Sequence, residues 1–424
     1  MVAFIVFFAL KCLFYGRKSG RYGKKTPICL QSLKKAPLNS PHLPTKSYFC
    51  WLVLAFSQPI PPYRISHTYL RDTSMLSFLL RKLYHGIAIL ISVTVVVFFL
   101  FNGLGDPARL TVGQRTDIAT VEAVKKELGL DQPLHIQFGM YLNDVLPLSI
   151  HDNTPDNAAK YNYLPILPVG NRVLVLKAPY LRRSYQTKRE VTDILLTALP
   201  KTLVLGLTAM TFAALLGIAL GVLAAMKPFS RLDNSILVTA TLGISQPSYF
   251  SGILLALIFG YWLHDYTGLN YTGGLYELND LGDEVLQLRN LVLPAFALGI
   301  RPLSIIVQLT RNAMLDVLSQ DYVRTARAKG LSERIVIVRH ALRNALNPVM
   351  TAISGWLAAI LAGAYFIEMI FDYKGLGFVT INALNNLDFP VAMGAILFTA
   401  SLFVVVNIIT DILYGFLDPR VAVR

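Results

Sequence analysis

Gripping the phosphates of a nucleotide takes a turn of the form G-x-x-x-x-G-K-[ST], whose backbone N–H groups and lysine cradle the anion. The nearest approach in this chain is Gly-Lys-Lys-Thr at Gly23–Thr26. Its first glycine is replaced by Lys18, and Lys25 stands where a hydroxyl residue is required. Neither H-E-x-x-H nor G-x-S-x-G occurs. The three cysteines, Cys12, Cys29 and Cys50, lie near the start, so the rest of the chain can build neither a disulfide framework nor a cysteine metal cluster. The seven histidines are scattered, which favours core or interfacial roles over ligation. No catalytic residue, metal site or cofactor is expected, and any ATP hydrolysis must come from a partner.

Charges inside apolar stretches are the next candidates, because they are costly there and often functional. Arg301 falls in the middle of "LGIRPLSII", beside Pro302. It is expected either to face a wet cavity or to pair with a carboxylate of a partner helix. Glu368 and Asp411 lie near the ends of apolar stretches, where solvated or paired structural roles are expected. Gln246-Pro247 marks an expected kink, since proline removes a helical hydrogen bond.

A third group is basic. "DYVRTARAKGLSERIVIVRHALRNALNP", from Asp321 to Pro348, sits between two apolar stretches. Leu331, Ile335, Val338, Leu342 and Leu346 recur at helical spacing and predict one apolar face. Ser332 is placed to cap that helix, with Glu333 in its first turn. Upstream, "DYVRTARAKG" is helix-compatible and ends at Gly330, suited to the position just past a helix. The pattern predicts two helical pieces joined at Gly330. It fits a helix lying on acidic lipid as well as one docking on protein.

The elements that must position these residues are membrane spans. The chain of 424 residues is 54% hydrophobic and only 15% charged. Crossing a hydrocarbon core of ~30 Å takes roughly 20 helical residues. Six stretches suffice: Leu83–Leu104, Leu203–Met226, Ile236–Leu263, Leu291–Leu309, Val349–Ile370 and Val391–Leu417. Lys and Arg concentrate before the first, between the second and third, after the fourth and after the sixth. His264–Leu288 has none and carries five acids. The positive-inside rule then puts both termini and the basic segment in the cytoplasm. The loop 105–201 is basic yet external, which its length allows. In it, Thr116–Leu130 has helical spacing and "NRVLVLKAPYL" suits a short strand, so a small extracytoplasmic subdomain is expected.

Residues 1–74 stand apart. They hold eleven Lys or Arg against one acid, Asp72, and account for most of the formal charge of +14. Their two apolar patches are too short to span a bilayer. The segment reads as a basic surface arm, as a targeting segment, or as sequence upstream of a true start at Met75. The expected divisions are a leader (1–74), a first span (75–104), the loop subdomain (105–201), a five-helix body (202–417) and a cytoplasmic tail (418–424).

Here the residues resemble a known family, the inner-membrane permeases of ABC importers. Its cytoplasmic motif reads Glu-Ala-Ala, three residues, Gly, nine residues, Ile-x-Leu-Pro. Ala326, Gly330 and Leu342 match it, whereas Arg324, Thr325, His340 and Arg343 depart from it. Those departures resemble the oligopeptide/dipeptide branch, in its B-type subunit. So do "LGDPARL", "ELGLDQPL", "RRSYQTKREVTDILLTALPKTLVLG", "LTRNAML", "FDYKGLG" and "VVVNIITDILYGFLDPR", in that order, over Met75 to Arg424. The resemblance implies an all-α polytopic chain of the type I importer permease fold, lying in a bacterial cytoplasmic membrane and working by alternating access. It implies a second permease subunit, favoured as a different chain, with two cytoplasmic ATPase subunits and an external substrate-binding protein. Nucleic acid is not among the partners. The segment 321–348 then resembles the coupling helix, with Arg324, Thr325, Ala326, Gly330, Leu331 and Leu342 at or near an ATPase. Arg301 becomes a pathway candidate able to meet a peptide carboxylate. Three rivals stay open: an ion-gradient-driven transporter, a membrane anchor without transport, and a permease for a non-peptide ligand such as nickel. Few acids lie within the spans, which weighs against the first of these.

Overall fold

The computed structural model describes residues 75–417, apart from 104–130 and the single positions 153, 171 and 280. The leader 1–74, the helix expected over Thr116–Leu130, and the tail with Arg420 and Arg424 lie outside the described residues.

Six crossings are built from seven helices. They are α1 (Met75–Gly103), then α4 (Val191–Met226), the bent pair α5 (Arg231–Ser245) and α6 (Ser248–Leu255), α7 (Arg289–Leu318), α9 (Arg343–Gly363) and α12 (Phe389–Leu417). Five are long and apolar enough to cross alone, and the bent pair supplies the sixth. The break expected at Gln246-Pro247 is there. Helix α5 ends on Ser245 and α6 begins at Ser248, with the two axes bent by 107°. Pro247 cannot donate to the preceding turn, and its ring clashes with it.

Two boundaries differ from the expected ones. Helix α4 starts at Val191, not at Leu203, and runs through the expected division at 201/202. The expected fifth span, Val349–Ile370, is not one helix. The helix begins earlier, as a turn at Glu333–Ile335 and a π-helical stretch at Val336–Leu342 that lead directly into α9. It stops at Gly363, and a separate short helix, α10, takes Tyr365–Ile370. Apolar composition marks what can sit in lipid but does not mark where a helix turns a corner.

A small α/β subdomain fills the loop between α1 and α4. It contains α2 (Leu134–Val145), β1 (Leu148–Asp152), α3 (Pro155–Tyr161), β2 (Leu164–Val169) and β3 (Arg172–Leu176). The strands form an antiparallel sheet in the order β1-β3-β2, with Ile150 opposite Leu174. The strand expected in "NRVLVLKAPYL" is β3. Its Val173 and Val175 alternate inward, as a sheet with one covered face requires.

Two apolar clusters hold the spans. One joins α4, α7, α9 and α10 through Leu205, Ala213, Leu298, Ile306, Val349 and Ile367. The other joins α1, α2, α4 and α12 through Val97, Phe101, Tyr141, Leu195 and Ala395, and includes Leu376 and Ala383 of α11 (Leu376–Asn385). Small residues let α4 lie close against α7. A Cβ on Gly217 would fall 3.1 Å from the Leu303 carbonyl oxygen, and one on Gly221 would fall 2.8 Å from that of Val307. Among apolar helices, such backbone approach substitutes van der Waals contact for a hydrophobic drive that lipid removes.

Candidate functional site: a braced basic hairpin between two spans

Helix α7 ends at Leu318, and α8 (Asp321–Ala328) follows after two residues. Its end forms a tight hydrogen-bonded stop. The N–H of Gly330 donates to the carbonyl of Arg327 (2.9 Å), and that of Leu331 donates to Ala326 (3.4 Å). Gly330 has φ +76, the left-handed conformation that this stop demands and that side chains disfavour. The expected turn at Gly330 is present.

The turn is clamped. Arg327 crosses it to grip Glu333 with two contacts, Nη2 to Oε1 at 2.6 Å and Nε to Oε2 at 3.2 Å. The Asn344 amide donates to the Tyr322 hydroxyl at 2.8 Å. Val323, Ala326 and Val336 bury themselves against Val317 and Leu318. Ser332 occupies the N-cap position, but its hydroxyl makes no capping bond. Its carbonyl accepts from Ile335 and Val336 instead.

The expected apolar face is displaced. Val336, Ile337, Ala341 and Ala345 are buried, whereas Leu331, Ile335 and Val338 are exposed, Val338 by 57%. The wider turns of Val336–Leu342 shift the helix phase, so spacing read at 3.6 residues per turn selects the wrong face. The exposed side therefore combines Leu331, Ile335 and Val338 with Arg324, Lys329, Arg334 and Arg339.

The six residues expected at the coupling contact separate into two groups. Arg324, Thr325, Gly330 and Leu331 lie exposed at the hairpin tip. Ala326 is buried inside the hairpin, and Leu342 is half-buried against the cluster around Met314. Among the described residues Arg324 reaches Asp321, at 3.6 Å, with both side chains largely exposed.

A second brace ties the hairpin to the spans, and sequence reasoning missed it. Arg311, two turns before the end of α7, donates to both oxygens of Asp233 at 2.6 Å each. Asp233 is fully buried and also accepts from the Phe229 N–H at 2.8 Å. The α4–α5 turn is thus fastened to the helix that leads into α8. The signal available was Ser230 followed by an acid in the first helical turn, which reads as no more than a cap.

The remaining charges fall as follows. Arg301 lies mid-way along α7, exposed, with its guanidinium 5.9 Å from the Trp356 ring centroid. Glu368 is not solvated. It is fully buried and accepts from the Thr202 hydroxyl (2.7 Å) and the Phe378 N–H (3.0 Å), tying α4 to α10 and α11. Asp411 pairs with Lys82 at 2.6 Å.

Six crossings and a braced hairpin with an exposed tip between the fourth and fifth define a polytopic membrane protein with a built handle. Residues 217–423 match the family "Binding-protein-dependent transport system inner membrane component", and residues 75–206 match its N-terminal companion. The chain belongs to that family. It is therefore a membrane-embedded transport permease and not an enzyme, ATP hydrolysis residing in separate ATPase subunits, with a substrate-binding protein as a further partner. It is 35% identical to the di/tripeptide transport system permease protein DppB of Pseudomonas aeruginosa, over 82% of this chain and 99% of that one. It is 31% identical to the oligopeptide transport system permease protein AppB of Bacillus subtilis, again over 82% and 99%. Among solved structures, an inward-facing form of the MetNI methionine ABC transporter aligns over 54% of this chain and 98% of that one, at 16% identity and TM-score 0.43.

Proposed function

We propose that this chain is one of two permease subunits, paired with a different chain, in an ATP-driven importer of di- or oligopeptides. Its termini and the hairpin 321–348 face the cytoplasm, and the sheet subdomain faces outward. The distribution of Lys and Arg supports that orientation. The named peptide permeases support the substrate class.

The hairpin is the coupling element, and the observation that carries this reading is its exposed tip. Leu331, Ile335 and Val338 are apolar, exposed and ringed by cations on a unit that is internally clamped. A floppy loop would absorb a push. A braced hairpin continuous with α7 and α9 passes a rigid-body movement of an ATPase to two spans at once.

The test is Gly330→Pro, with Gly330→Asp as a second variant, in the complete transporter in proteoliposomes. Proline cannot adopt φ +76, and aspartate does so only with strain. ATP-driven peptide uptake should fall to background while the chain still inserts and assembles. Uptake at the original rate in both variants would show that this turn does not couple.

A further inference from the structure

Two polar stripes run along the spans on either side of the hairpin. On α7, Arg301, Gln308, Asn312 and Asp316 share one side, interrupted by the half-buried Ile305, and none of the four polar residues is buried. Toward the start of α7, the positions that continue that side, Pro294, Ala297 and Leu298, are buried. On α9, Asn344, Asn347, Thr351 and Gly355 form an exposed stripe, and a Cβ on Gly355 would meet open space. The next position on that side, Ala358, is buried.

Both stripes start at the hairpin end and stop at one level, because Arg301 at the head of one touches Trp356, the neighbour of Gly355 at the head of the other. Beyond it, Leu298, Ile360, Ala364 and Ile367 close the bundle with apolar packing. Within the expected spans, the exposed Arg301 and Thr351 and the half-buried Gln308 are polar groups that are costly against lipid. The chemistry of the stripes is also particular: below Arg301 they offer mainly neutral donors and acceptors, which suit a peptide backbone of any sequence. At the closed end they offer one cation with no carboxylate bound to it among the described residues.

We propose that Arg301, backed by Trp356, is the station that holds the C-terminal carboxylate of the peptide in transit, with the neutral stripes of α7 and α9 receiving its main chain. The inference rests on the peptide-importer reading and adds to it the chemical group that the pathway selects. Trp356 orients the guanidinium through its ring face, leaving the N–H fork free for a two-pronged grip on a carboxylate. Arg301 is a specificity-determining residue, and Trp356 is a positioning residue.

The experiment uses the complete transporter in proteoliposomes with excess binding protein. It compares uptake of one tripeptide as the free acid and as the C-terminal amide, for wild type, Arg301→Gln, Arg301→Lys and Trp356→Leu. Losing a charge-assisted contact should lower free-acid uptake by about tenfold or more in Arg301→Gln. Amide uptake should change less than about twofold on the same ground, that it never made that contact. Arg301→Lys should recover part of the loss. Trp356→Leu should raise KM for the acid more than it lowers kcat.

A second measurement removes any dependence on delivery of the amide. A photoreactive group at the peptide's C-terminal end should label α7 or α9 around Arg301 and Trp356 in wild type, and lose that labelling in Arg301→Gln. Equal loss of acid and amide uptake in Arg301→Gln, or labelling elsewhere, would overturn the carboxylate station while leaving the importer intact. Failure of wild type to take up either peptide would instead overturn the importer reading, and this inference with it.

Discussion

Asp144 gathers three side chains of the loop subdomain. Its carboxylate accepts from the Tyr161 hydroxyl and from Arg182 Nε, both at 2.9 Å, and its backbone carbonyl accepts from Lys177 Nζ at 2.9 Å. The Lys177 ammonium also sits 4.0 Å from the Tyr161 ring centroid, and the His151 ring packs on the same tyrosine at 4.2 Å, tilted by 31°. Burial pushes the Lys177 amine down to about 8, with Asp144 pulling in the other direction. Burial also pushes the His151 imidazole below its ordinary value, and the charge of Lys177 adds to that push. Between pH 8 and the ordinary 10.5 the unfolded lysine holds a proton that the folded one has shed, so the subdomain gains stability as pH rises through that window. At the acid side the same sign applies to His151: stability falls as pH drops below about 6.5, where the unfolded imidazole takes a proton first. Lys177→Met should therefore raise the His151 midpoint toward its ordinary value and flatten the alkaline gain. NMR titration of ring-labelled histidine in the micelle-solubilised chain would read the first effect, and thermal melts across pH the second. An unmoved midpoint would remove Lys177 from the account. None of this cluster was legible in the sequence, because Tyr161, Lys177 and Arg182 lie 17 to 38 residues from Asp144 and share no motif with it.

At the scale of elements, the spans and the Gly330 turn were legible because each follows from a local rule. Apolar length sets the first, and a left-handed residue past a helix end sets the second. The face of the hairpin was not legible. A π-helical stretch changes the residues per turn, and only its packing against α7 reveals that it is there. Gly217 and Gly221 are a middle case: four residues apart on α4, they read as ordinary helix glycines until their neighbour is known. With Val307 O 2.8 Å from the place of a Cβ, Gly221→Val must push α7 away from α4. The expected cost is about 1–3 kcal/mol, as for overpacked cores. Gly139→Ala on α2, where nothing lies within 4 Å, should leave stability unchanged or slightly higher. Denaturant unfolding in mixed micelles distinguishes the two, and equal midpoints would show that α4 and α7 tolerate separation.

For the whole molecule, the question is how a soluble-looking α/β subdomain stays fixed to a bundle of spans. Beside the apolar packing of α2 on α1, the join has one carboxylate, at the α11–α12 corner. Asp388 is buried and accepts from the Ser184 hydroxyl and, at 3.0 Å, from the Tyr185 N–H. Gln186 adds a bond to the Asn386 carbonyl at 3.1 Å, and Ser184 also accepts from the Thr187 N–H at 2.9 Å. Around this knot, Leu181 and Tyr185 pack on Phe389 and Gly394, where a Cβ would lie 2.7 Å from Val191. The segment 181–190 is therefore a strap: it leaves the sheet, touches the start of α12 and turns into α4. Removing the carboxylate orphans two donors at once, the buried Ser184 hydroxyl and the half-buried Tyr185 N–H, and an unmet buried donor costs on the order of 1–3 kcal/mol. Asp388→Ala should release the strap while the spans stay folded, since neither apolar cluster needs the carboxylate. Hydrogen exchange reads this directly. The Tyr185 amide should exchange at least about fivefold faster, the smallest change compatible with such a cost, and amides inside α4 and α7 should not change. Asp388→Asn, which keeps only one of the two oxygens that Ser184 and Tyr185 separately use, should fall between. If Tyr185 exchanges at the original rate in Asp388→Ala, the subdomain is held by apolar packing alone and the corner carboxylate has no part in fixing it.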